Sequence, residues 1–92
     1  MPILRIPTPL RSYTDGQIEV RVDGRNIGEA MEALVAKYPT LKPHLYNGDG
    51  RLRPFVNLFI SEHNMKDLDG LSTPVEPDTR VLLVPSIAGG RG

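Results

Sequence analysis

Asp67 and Asp69 stand two residues apart beside Gly70, a spacing that could open a calcium loop, but the remaining oxygen ligands of such a loop are missing and a turn accounts for them. His44 and His63 fall in expected loops with no acid or ligand at a telling interval, so they read as surface histidines. Gly48 and Gly50 are not followed by Lys-Ser/Thr and lead toward a strand, unlike a phosphate-binding loop, which opens a helix. The chain has no cysteine, which excludes a disulfide framework, a thiolate metal site and a cysteine nucleophile together. No catalytic residue, no metal site and no cofactor held by this chain is expected. What remains is the terminal stretch Ser-Ile-Ala-Gly-Gly-Arg-Gly over residues 86–92. Glycine lacks a Cβ, so Gly89 and Gly90 can thread a narrow channel and bring a carboxylate to a reacting centre that a side chain would block. Residues 86–90 can reach about 17 Å at ~3.3 Å each. A glycine-rich end can equally be inert, so the body that carries it has to decide.

That body reads as follows. Residues 3–6 are apolar and bounded by prolines, which suits a first strand. After a Thr-Asp-Gly turn at 14–16, residues 17–23 alternate, with Ile18, Val20 and Val22 on one side, so the two segments form a β-hairpin with one buried face. Asn26 is placed to cap a helix whose stripe, Ile27, Met31, Leu34, Val35 and Tyr38, recurs at spacings of three and four until Pro39 stops it. Residues 40–53 read as a long connection with one helical turn around 44–46. Residues 55–60 form a second strong strand with Val56, Leu58 and Ile60 on one side and Phe55, Asn57 and Phe59 on the other. The two rings and the amide are either a partner surface or packing beneath a loop. Residues 61–64 turn into a short segment at 65–68, and a loop to 79 precedes the last strand at 80–85. Its run Val81, Leu82, Leu83, Val84 suits a strand in mid-sheet, covered on both faces.

The order β-β-α-β-(short β)-β describes an α+β roll, a mixed sheet of four to five strands with one main helix packed across it. The expected division is a single domain over 1–85 and a tail over 86–92. At 92 residues the core leaves little room for an enclosed active-site cavity. Eleven basic and eleven acidic residues leave no net field to attract phosphate backbones or anionic lipid, so neither nucleic acid nor membrane is an expected partner. Within residues 61–78 five acids face the single base Lys66, either a solvated loop face or a patch for a basic partner. The N-terminal residues contain no signal-peptide core, and a cytoplasmic location is expected.

Taken with its tail, the chain resembles the ThiS/MoaD family of ubiquitin-like sulfur carriers over essentially its full length. The likeness rests on ILRIPTPLR, EALVAKYP, FVNLFIS and above all DTRVLLVPSIAGG. The resemblance implies the β-grasp fold and an activity of carriage, not catalysis. An E1-like enzyme would adenylate the carboxylate of Gly90 with its own ATP, and sulfur would replace AMP to give a thiocarboxylate, with Ile87, Ala88 and Gly89 presenting the terminus. Family members act with the second glycine at their end, so Arg91 and Gly92 imply processing between Gly90 and Arg91 by a JAMM-type metallopeptidase. The phrases RPFVNLFIS and VPSIAGG are most similar to the carrier of an O-phosphoserine-dependent cysteine synthase, which would accept the sulfur. The small subunit of molybdopterin synthase, acting with its large subunit, and the carrier for thiamine thiazole are the alternatives. A ubiquitin-like modifier joined to protein lysines is a further one.

Overall fold

The computed structural model describes residues 1–54 and 56–85. The chain opens with β1 (Ile3–Arg5), runs through a 3-10 turn (Thr8–Thr14) and returns antiparallel as β2 (Glu19–Arg21), with Leu4 opposite Val20. Helix α1 (Ile27–Lys37) and the single turn α2 (Lys42–Leu45) follow. The chain then forms β3 (Val56–Ile60), the two-residue β4 (His63–Asn64) and, after two 3-10 turns, β5 (Arg80–Pro85). The sheet order is β2-β1-β5-β3-β4, with β5 parallel to β1 and antiparallel to β3. Two parallel neighbours need a crossover, and the segment that contains α1 supplies it. This is the mixed sheet with a crossing helix expected from the element order.

Local chemistry explains where α1 begins. Asn26 Oδ1 accepts a hydrogen bond from the Glu29 N–H at 2.8 Å, and Glu29 Oε1 accepts from the Arg25 N–H at 2.9 Å. Two backbone donors of the first turn region are thereby satisfied reciprocally. Gly24 lets the link between β2 and α1 pass close to the helix backbone, because a Cβ there would lie 2.7 Å from the Ala30 backbone nitrogen. Ile27, Ala30, Met31 and Leu34 bury one face of α1 against Leu4, Val20, Val56, Leu58, Val81 and Leu83 of the sheet. Val35 and Tyr38, expected in the same stripe, are half-buried at its margin. Thr14, fully buried, directs its Oγ1 to the carbonyl oxygens of Arg11 (3.1 Å) and Gln17 (3.0 Å), which ties the 3-10 turn to the start of β2.

Three expectations are corrected. Ile18 is 48% exposed and does not join Val20 and Val22 in the core. It sits at a bend before β2, where the extended alternation has not begun. The short strand is His63–Asn64, two residues earlier than expected, because the Asn64 side chain accepts the Lys66 N–H at 2.9 Å and winds Met65–Asp67 into a 3-10 turn. β5 is central as expected, but it is covered on one face only: Val81 and Leu83 are buried, whereas Leu82 is 42% exposed. No helix among the described residues is long and apolar enough to cross a membrane.

Candidate functional site

The sheet face opposite α1 is built by alternation. Residues that point away from the helix on adjacent strands fall in rows, and the pairing register defines them. Glu19, Arg5, Leu82, Phe59 and Asn64 form one row across all five strands, and Arg21, Ile3 and Arg80 form the next across three. Val84 of β5 lies opposite Asn57 of β3 in the row nearer the end of β5. The open face thus carries an apolar centre, Ile3, Phe59, Leu82 and Val84, with arginines on its β1–β2 side.

A shallow groove crosses this face, with Ile3, Phe59 and Leu82 against it and Arg5, Glu19 and Arg80 at one end. Glu19 Oε2 bridges both cations: it accepts a hydrogen bond from Arg80 Nη1 and lies 3.6 Å from Arg5 Nη1. The three side chains come from β1, β2 and β5, so they meet only because the sheet places β1 between the other two. The turn between β3 and β4, formed by Ser61 and Glu62, also lines the groove; it follows Ile60, which pairs with Val81, the neighbour of Arg80. Both turn residues have positive φ, 50° and 73°, the pattern of a type I′ hairpin turn, which normally takes Asn-Gly.

Of the residues singled out from sequence, Asn57 and Phe59 lie together on the open face, and the Asn57 Oδ1 accepts from Asn64 Nδ2 at 3.2 Å. Phe55, Ile87, Ala88, Gly89, Gly90 and Arg91 lie outside the described residues. β5, which carries Arg80 and Leu82 into the groove, ends at Pro85, immediately before the tail. Sequence reasoning passed over Arg5, Glu19 and Arg80 as site residues and noted Glu62 only as one of five acids within 61–78, a solvated loop face or a patch for a basic partner. Nothing in the spacing of positions 5, 19, 62 and 80 signals a shared groove; only strand order brings them together. Among the described residues no three His, Asp or Glu side chains converge as metal ligands would.

The geometry is an exposed apolar sheet face on the strand that leads to a Gly-Gly tail, which suits docking to a macromolecule. Comparison with known proteins gives this arrangement its lineage. The chain is 32% identical to the sulfur carrier protein CysO of Mycobacterium tuberculosis over 87 residues, covering 92% of this chain and 94% of that one. It is 31% identical over 68 residues to small archaeal modifier protein 3 of Haloferax volcanii, covering 74% of this chain and 73% of the relative. The crystal structure of Mycobacterium tuberculosis CysO superposes with a TM-score of 0.83 at 28% identity, over 95% of this chain and the whole of that one. The fold is therefore the β-grasp, and the resemblance drawn from the strands and the tail is borne out. The profile of the ThiS family matches residues 4–90, from the first strand through the second glycine, and the chain belongs to that family.

Proposed function

We propose that this protein is a sulfur carrier that works through Gly90, most similar in role to the carrier of a cysteine synthase. The observation that carries the reading is that the family match extends through the tail to residue 90, beyond the last strand, in a chain whose relatives include a named sulfur carrier. A metallopeptidase of the JAMM type removes Arg91 and Gly92 and frees the Gly90 carboxylate. An E1-like enzyme then brings ATP: a carboxylate oxygen attacks the α-phosphorus, pyrophosphate leaves, and the acyl adenylate forms. Adenylation turns a poor electrophile into a mixed anhydride, from which a sulfide nucleophile displaces AMP to leave the thiocarboxylate. A cysteine synthase-like enzyme joins the thiocarboxylate sulfur to the β-carbon of O-phosphoserine with loss of phosphate, and peptidase hydrolysis of the carrier–cysteine adduct releases the amino acid and returns the Gly90 carboxylate.

In this scheme the chain contributes reach and recognition. The partner docks on the open face around Asn57, Phe59 and Leu82, and residues 86–90, whose contour length is at most about 17 Å, supply the reach that brings Gly90 to it. Intact-mass spectrometry of the untagged protein from its native host, grown sulfur-starved and sulfur-replete, tests the reading. The expected species ends at Gly90 and carries one oxygen replaced by sulfur. A population ending only at Gly92, combined with failure of a chain truncated to Gly90 to accept AMP, overturns it.

The similarity to a small archaeal modifier protein supports a second reading, in which the activated Gly90 is joined to lysines of target proteins. The two readings share activation and differ in the acceptor. Isopeptide-linked remnants of this tail on lysines in a digested cell extract separate them.

A further inference from the structure

Two carboxylates line the sheet-face groove, and they differ in circumstance. Glu19 is held between Arg5 and Arg80. Glu62 is exposed and has no ion-pair partner among the described residues. It also sits where a glutamate is disfavoured. Ser61 and Glu62 are consecutive non-glycine residues in the left-handed region, at φ 50° and 73°, and a side chain at such φ crowds its own backbone carbonyl. A two-residue turn joining paired Ile60 and His63 would form with less strain from Asn-Gly. Backbone strain of this kind persists where the surrounding structure enforces it and is concentrated at functional sites. Here the β3–β4 pairing enforces it, and the result is an exposed carboxylate, unpaired among the described residues, at the rim of a largely apolar groove.

We propose that Glu62 is a specificity-determining residue for docking. The groove takes a protein partner that seats an apolar side chain over Leu82 and Phe59 and brings an arginine or lysine to Glu62. Charge complementarity selects this occupant, because Glu19 is already paired with Arg5 and Arg80, which leaves Glu62 as the groove carboxylate without an ion-pair partner among the described residues. Continuity selects it as well: β5 carries both the groove and, three residues after Leu82, the Pro85 that precedes the tail. The inference rests on the reading of the sheet face as the docking surface, and deepens it by naming the partner's chemistry.

The test uses the full chain, isotopically labelled for NMR, and two synthetic helical peptides. Each presents a leucine anchor, one with arginine and one with glutamate a single turn away. At low ionic strength the arginine peptide is expected to shift the amides of Ile3, Phe59, Glu62 and Leu82 and to bind about threefold to fivefold more tightly than the glutamate peptide, the range of one exposed ion pair. Glu62→Gln brings the two peptides to within twofold of each other. Glu62→Gly does the same and also raises Tm by about 2–4 °C, because relief of the left-handed glutamate outweighs the entropy lost with glycine. A residue with a merely structural role would not separate binding from stability in this direction. Equal binding of both peptides to the groove of the unmodified chain removes Glu62 as a determinant while leaving the docking face in place. Shifts confined to another surface, or no binding of either peptide, overturn the docking face together with the proposal. Neither outcome touches the Gly90 chemistry, which mass spectrometry reads separately.

Discussion

Leu82 and Leu83 are neighbours on β5 that point to opposite faces, and together they separate docking from folding. Leu83 is 0% exposed and packs in the core. Truncating a fully buried leucine costs about 3 kcal/mol or more, from lost transfer energy and the cavity left behind. Against a total of about 5–14 kcal/mol for a chain of this length, Leu83→Ala should lower Tm by about 15–20 °C. Leu82 is 42% exposed, so a little over half of its side chain is covered and Leu82→Ala should cost about 1 kcal/mol. On a partner, a central apolar anchor contributes about 2 kcal/mol, which is roughly 30-fold in affinity. The assays are urea denaturation and adenylation of the chain truncated to Gly90 by an activating enzyme from the same organism. Leu82→Ala should raise the KM for the carrier by roughly 30-fold with kcat held and a modest loss of stability. Leu83→Ala, assayed where it remains folded, should show the reverse. Equal destabilisation by the two substitutions would refute the one-sided burial of β5, and an unchanged KM for Leu82→Ala would refute docking on this face.

Other expectations follow from single contacts. Asn26→Ala removes the acceptor of the Glu29 N–H and should cost about 1 kcal/mol in chemical denaturation, with Asn26→Asp closer to the parent. Tyr46 is half-buried, and its phenol is held above the ordinary tyrosine range first by burial and then by the negative charge of Glu32. Its neutral form is therefore favoured by folding. This contribution is fully present below the unfolded tyrosine pKa, near 10, and is lost as pH rises through the higher folded value. Ultraviolet titration should show a late-ionising tyrosine, and Glu32→Gln should move that ionisation downward. If Gly90 is activated as proposed, Gly89→Val should abolish adenylation of the truncated chain, because a branched Cβ would block a channel narrow enough to need glycine, while leaving Tm within a degree or so of the parent.

The sequence was most informative where the controlling interactions are local. The start of α1 was legible because Asn26 and Glu29 cap it within one turn. The inward set Val56 and Leu58 and the outward set Asn57 and Phe59 were legible because strand alternation has a period of two. Locality also explains the misses. Ile18 matches Val20 and Val22 in parity, but the chain bends at Ile18 just before β2, and its side chain is left exposed. The short strand was displaced because Asn64 caps a turn that competes with extension at Met65.

By itself, then, the sequence determined the main strands, the main helix, their order and the Gly-Gly pair at 89–90, since each follows from propensity, periodicity or composition within a few residues. Tertiary structure alone decided that the apolar run of β5 is covered on one side, because the same run suits a strand buried twice or one that offers Leu82 to a partner. It alone joined Arg5, Glu19 and Arg80, and it alone held Ser61 and Glu62 in a left-handed turn that their own preferences oppose. The physical reason is common to both: pairing across strands is a long-range constraint, and no local pattern records which strands become neighbours or what backbone strain their pairing enforces.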